Sequence, residues 1–168
     1  TKSYIFTRNT FDLAGSAGSI TIRGQSGEGS FAQTVNLNNS TVRTTIDGGN
    51  SKTAPATIRI AAAALTLANG AQVTAETSGG AVGGNISLSS GSNNIVLTNS
   101  SISTTASQSS GGNIDLTAPN MVLLHDSQIT TSVTGGAGSG GDIVIARQFE
   151  VLENNKILAQ PTQSIVLQ

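Results

Sequence analysis

Residues 83–106 read GGNISLSSGSNNIVLTNSSISTTA, and residues 111–133 read GGNIDLTAPNMVLLHDSQITTSV. Each opens on Gly-Gly-Asn and continues with two apolar residues separated by one polar residue. After a short link comes a second apolar stretch, an Asn or Asp with a small polar residue, and Ile-x-Thr. A unit that returns at a fixed period of this size buries its core only by stacking on copies of itself. The chain therefore reads as a solenoid with a coil about every 28 to 31 residues.

Extending the pattern in both directions sets a register. Second-strand anchors fall at Phe6, Leu37, Leu67, Leu97, Leu124 and Leu152, with steps of 31, 30, 30, 27 and 28. Third-strand anchors follow at Phe11, Val42, Val73, Ile102, Ile129 and Ile157. The interval from Leu67 to Val73 is one residue longer than the others, so that corner must absorb an extra residue. First strands begin at Ile20, Ile58, Ile86, Ile114, Ile143 and Ile165, each with a second apolar residue two positions on. Apolar residues two apart face one way, which is strand periodicity. The only helix-like run, residues 61–64, is flanked by alternating apolar residues. These features predict an all-β parallel β-helix, three short strands per coil and about five to six coils, occupying residues 1–168 as one segment cut from a longer repeat protein. At ~4.8 Å per layer such a stack is a rod roughly 25–30 Å long.

The corners carry their own signal. Two residues past the second-strand anchors stand Asn39, Asn69, Asn99, Asp126 and Asn154, with Arg8 in the first copy. Asn and Asp tolerate left-handed backbone angles and satisfy nearby backbone groups. One per coil, they form a structural turn ladder. Asn85, Asn113 and Asp142 form a second ladder just ahead of the first strands. In the fifth coil, Leu152 as anchor turns Glu150 inward. Because a buried unpaired carboxylate is costly, Val151 is the preferred anchor there, with an extra residue in the turn.

Composition agrees with a stacked solenoid. About a third of the chain is Ser, Thr and Asn, 10% is charged, and the sequence holds 20 Gly and no Trp. Gly- and Ser-rich links at 78–84, 107–112 and 135–141 match the open corner of each coil. The net charge of −1 gives no reason to expect nucleic acid or an anionic membrane. No stretch approaches ~20 consecutive apolar residues. There is no cysteine, hence no disulfide, and with a single histidine, His125, no zinc site or other metal site is expected. His125 should face solvent. No cofactor-binding motif is present.

The Gly-Gly-Asn-Ile-x-Leu opening at 83–88, the Ile-Val-Leu-x-Asn-Ser-x-Ile-x-Thr run at 95–104 and the Gly/Ser links resemble the repeats of filamentous-haemagglutinin-type exoproteins, the secreted partners of two-partner secretion systems, and are most similar to large cyanobacterial members. The resemblance covers roughly residues 18–160. It implies a right-handed β-helical shaft, exported across the outer membrane by a dedicated two-partner transporter, secreted or displayed on the cell surface, and often adhesive toward a cell-surface glycan or protein. The Asn-Pro-Asn-Gly-type motifs of that family's secretion domain do not occur here.

Chemistry-bearing residues are sparse. A carbohydrate-active β-helix needs two carboxyls within several ångströms. Asp115 faces outward between Ser87 and Val144 and so lacks an acidic neighbour above or below, while Asp126 and Asp142 stand at different corners. The expectation is a non-catalytic structural or adhesive shaft module. The alternatives are a carbohydrate-active enzyme and a hydroxyl-array surface that binds glycan or ice. The candidate residues for such an array are Thr74, Ser103, Thr105, Thr130 and Ser132, outward on successive third strands, with Arg43, Glu76, Leu158 and Gln160 interrupting it. The first coil opens near Tyr4 and the last closes at Leu167, both without a capping segment. Exposed strand edges of this kind favour end-to-end self-association, or fraying of the outer coils around a protected middle (86–129).

Overall fold

The computed structural model describes residues 2–10, 18–135, 138–160 and 165–167. Every regular element among them is a β-strand. In chain order these are β1 (Ser3–Thr10), β2 (Ile20–Ile22), β3 (Ala32–Asn38), β4 (Ser40–Gly49), β5 (Thr57–Ala68), β6 (Gln72–Gly79), β7 (Asn85–Ser90) and β8 (Ile95–Thr98). They continue with β9 (Ser101–Ala106), β10 (Ile114–Thr117), β11 (Met121–His125), β12 (Gln128–Val133), β13 (Ile143–Ala146), β14 (Phe149–Glu153), β15 (Lys156–Ala159) and β16 (Ile165–Leu167). All pairings are parallel, and each strand lies on its counterpart in the next coil, as in a β-solenoid. Third strands form a six-stranded sheet in the order β1-β4-β6-β9-β12-β15. First and second strands form one larger sheet, because β5 runs through both without a break.

The reason for that continuity lies in the run at 61–64. Along β5, buried residues alternate up to Ala62, then Ala63 and Ala64 are both part-exposed, and burial resumes at Leu65. Two successive outward residues shift the phase by one, and the small side chains let the strand round the corner while keeping its ladder.

Inside, side chains stack row upon row. Ile58, Ile86, Ile114 and Ile143 lie in register, as do Ile60, Leu88, Leu116 and Ile145. Leu37, Leu67, Leu97, Leu124 and Leu152 form the second-strand row. Val42, Val73, Ile102, Ile129 and Ile157 form the third. Most of these side chains are fully buried. Each buried Leu, Ile or Val contributes roughly 1.5–3 kcal/mol relative to exposure. The core is closed on all three sides from the β2–β4 coil through the β10–β12 coil. The solenoid amounts to about four turns, slightly fewer than the five to six expected.

Two expectations of register change, and a third is located. First, β1 belongs to the third-strand sheet: Ile5 lies on Val42, Phe6 on Arg43 and Arg8 on Thr45. Phe6 is therefore an outward residue, 70% exposed, and not a second-strand anchor. Arg8 leaves the turn ladder and pairs with Asp47 at 2.6 Å. Phe11 and Asp12 lie outside the described residues. Second, in the fifth coil Leu124 lies on Leu152 and His125 on Glu153, so Leu152 holds the anchor position and no residue is added to the turn. The costly closed environment invoked against this register is missing there, since β14 is the last strand on its edge and Leu152 is 44% exposed. Third, the extra residue after Leu67 is Gly70, whose φ of 83° follows the φ of 55° at Asn69, so two consecutive left-handed residues make that turn.

Candidate functional site

The turn ladder is the most regular polar feature. Asn39, Asn69, Asn99, Asp126 and Asn154 have φ of 46°, 55°, 46°, 49° and 53°, and they are the only non-glycine residues with positive φ among those described. Their amides reach into the next coil: Asn39 N–H donates to Ala68 O at 3.0 Å, Asn99 N–H to His125 O at 2.9 Å and Asp126 N–H to Glu153 O at 3.0 Å. The residue that follows adds a side-chain link. Ser127 Oγ accepts from Ser100 N–H at 3.2 Å, and Asn155 Oδ1 accepts from Ser127 N–H at 2.9 Å. In the ladder ahead of the first strands, Asn85 Oδ1 accepts from Asn113 N–H at 2.8 Å, and Asn113 Oδ1 from Asp142 N–H at 2.9 Å.

A further ladder lies inside the coil and has no clear signature in sequence. Thr44, Thr104 and Thr131 are fully buried, each two residues after a third-strand anchor, with Ala75 taking the same row between Thr44 and Thr104. Thr104 Oγ1 donates to Gly112 O at 2.8 Å and Thr131 Oγ1 to Gly141 O at 2.7 Å. The glycines meet in turn: a Cβ built on Gly112 would overlap Gly84 O, and one on Gly141 would overlap Gly112 O. That close approach is why the coils open on Gly-Gly.

The hydroxyl candidates do share a face. Phe6, Arg43, Thr74, Ser103, Thr130 and Leu158 form one outward row of the six-stranded sheet. Arg8, Thr45, Glu76, Thr105 and Ser132 form the next. All five candidates are part-exposed, and Ser132 Oγ lies 3.5 Å from Thr105 Oγ1. Thr74 Oγ1 is itself buried without a partner. Toward β1 the face becomes charged and aromatic: Arg43 pairs with Glu76, Lys2 Nζ sits 5.5 Å from the centre of the Tyr4 ring, and Tyr4 is 62% exposed.

One acidic arrangement differs from expectation. Asp115 does have an acidic neighbour: burial, and next the charge of Asp142, raise its pKa above the ordinary carboxylate range. The two are diagonal across β10 and the start of β13, since Asp115 lies on Val144. His125 is part-exposed, with Nδ1 3.0 Å from Glu153 Oε2 and Nε2 3.1 Å from Asp126 Oδ2. No cluster of three or more His, Cys, Asp or Glu suited to a metal ion occurs among the described residues.

A groove beside β2 and β5 breaks the regular surface. Residues 23–31, between β2 and β3, stand over the outer face of β2, β5 and β7 and enclose a groove of about 600 Å3. Arg23, Glu28 and Phe31 line it from the loop, and Thr21, Arg59 and Ser89 from the strands. Sequence periodicity misses it because the loop belongs to no repeat. No family model, curated protein or solved structure matches this chain.

Proposed function

We propose that this chain is a non-catalytic stretch of shaft in a large secreted or surface-displayed protein of the haemagglutinin-like kind, exported through an outer-membrane two-partner transporter. Its task is to hold contact surfaces at a distance from the cell. The observation that carries this reading is the set of side-chain ladders through the corners of successive coils, with Asn85 to Asn113 to Asp142 as the type example. Such ladders make each coil the seat of the next, so length is gained by repetition. The outward Thr and Ser rows supply a regular surface along the shaft, where cell-surface glycan or protein can lie.

A hydrolase is the competing reading. Its best acid pair, Asp115 and Asp142, stands on an outward sheet face, and Asp115 has Ser87 and Val144 as its cross-strand neighbours. The test has two arms. Deletion of residues 99–125 joins Thr98 to Asp126 and removes one coil while preserving the ladder. A shaft segment should remain folded, with a single cooperative urea transition. Incubation of the intact chain with plant, algal and bacterial polysaccharides should release no new reducing ends. Cleavage that Asp115→Asn abolishes would overturn the proposal.

A further inference from the structure

The loop at 23–31 is the one place where the corner between first and second strands is elaborated. In the β5 coil that corner takes no residues at all, and in the later coils it takes only 91–94, 118–120 and 147–148. Nine residues are inserted here, and the rows beneath them, Ile20 on Ile58 and Leu37 on Leu67, keep register regardless. The stack does not need the insertion. Loops that a rigid scaffold positions without requiring are where binding groups concentrate.

The insertion is also held in shape. Gly24 N–H donates to Ser30 O and Ser30 N–H to Gly27 O, both at 3.3 Å. Ser30 Oγ lies 2.7 Å from Gly24 O and 2.6 Å from Gly27 O, so its single proton serves either carbonyl. At the loop's end the Phe31 ring covers Gly91, where an added Cβ would meet the ring at 2.7 Å. A loop fixed at both ends loses little entropy when a ligand arrives.

Among the described residues, the charges in the groove are uncommitted. Arg8 and Arg43, on the other sheet, are paired with Asp47 and Glu76, and Arg147 donates to Ile145 O at 3.1 Å. Arg23 and Arg59 have no hydrogen-bond or ion-pair partner among the described residues, and Glu28 lines the same groove without pairing to either. Two guanidinium groups against one carboxylate leave a surplus of one positive charge. A guanidinium matches a carboxylate with two parallel hydrogen bonds, and one surplus charge suits a monoanionic carboxylate better than a dianionic phosphate. Around the arginines stand groups fit for a sugar: the hydroxyls of Thr21 and Ser89, the acceptor oxygens of Glu28, and the Phe31 ring, 44% exposed. The volume falls within the ~300–1,000 Å3 of small-ligand sites.

We propose that this groove binds one uronate unit of a carboxylated saccharide, with Arg59 and Arg23 together holding its carboxylate and Phe31 supporting a sugar ring. The probe is hexagalacturonate, titrated calorimetrically into the whole chain at low salt. Binding should be at least about tenfold weaker in Arg59→Gln, in Arg23→Gln and in Phe31→Ala. It should be unchanged in Arg43→Gln, which alters the opposite sheet. Circular dichroism and the thermal midpoint serve as the fold check, and Arg23, outside any strand, keeps the test valid should the β5 variant lose structure. Three results would each overturn the proposal: no heat of binding at millimolar hexamer, equal affinity for maltohexaose, or tighter binding of oligothymidylate that ignores all three substitutions.

Discussion

At Asn99 the backbone is left-handed, with φ of 46°, and the same holds at its four ladder partners. Most side chains meet a steric penalty of about 1–2 kcal/mol in that region, which Asn and Asp partly escape and Gly avoids. Asn99→Ala should therefore lower stability by about 1 kcal/mol in urea titrations, while Asn99→Gly should stay within about 0.5 kcal/mol of the parent. Asp115 gives a pH-dependent case. Burial and Asp142 raise its pKa, so the folded chain holds this proton more tightly than the unfolded chain does. Its contribution is fully present below the ordinary carboxylate range and is lost as pH rises through the raised value. Asp115→Asn should accordingly raise stability at neutral pH, with the gain fading on acidification through the carboxylate range. Asp142→Asn should bring the Asp115 titration, followed by NMR, back toward the ordinary value. An Asp115 titration unmoved by Asp142→Asn would remove the coupling.

At the scale of single coils, tolerance is set by the glycine column. Gly112 sits where a Cβ would strike the carbonyl of Gly84, and that carbonyl belongs to the adjoining coil's backbone, which has no freedom to withdraw. Gly112→Ala should cost about 1–3 kcal/mol and broaden the unfolding transition, whereas Gly80→Ala, whose added Cβ would come no nearer than 3.7 Å to any atom, should cost less. The coils were legible in sequence where two constraints coincide. Ile86 and Ile114 alternate with polar neighbours, and the Asn or Asp two residues past each leucine anchor fixes the phase. Where the constraints part, legibility fails. Tyr4, Ile5 and Phe6 are apolar on both faces, so alternation selects no phase, and an extrapolated step of 31 placed Phe6 on the wrong sheet. The observed step from Ile5 to Val42 is longer because the insertion at 23–31 lies between them. The influence of Asp142 on Asp115 was hidden because a ladder register compares residues directly above and below, and these two are diagonal. The groove was hidden because its lining joins a loop to two coils further along the stack.

For the whole molecule, the open edges decide where unfolding begins. β1 and β15 bound one sheet; β14 and β16 bound the other at the C-terminal end of the stack, and β2 and β3, each paired only with β5, bound it at the N-terminal end. Hydrogen exchange on dilute chain should find the slowest amides in β7 to β12 and the fastest in β1 and β14 to β16. Equal protection throughout would show that the edges are covered. The ladders have a kinetic consequence as well. Their bonds join residues 27 to 31 positions apart, as between Ser100 and Ser127 or Asn38 and Asn69, whichever coil is considered. Loop closure for each added coil therefore costs the same however long the chain has grown. Relative contact order, the mean separation divided by chain length, falls as coils are appended. A formed coil is a template for its neighbour, so growth proceeds by accretion at an end. A solenoid of this design can lengthen in evolution, one coil at a time, without a matching slowdown in folding.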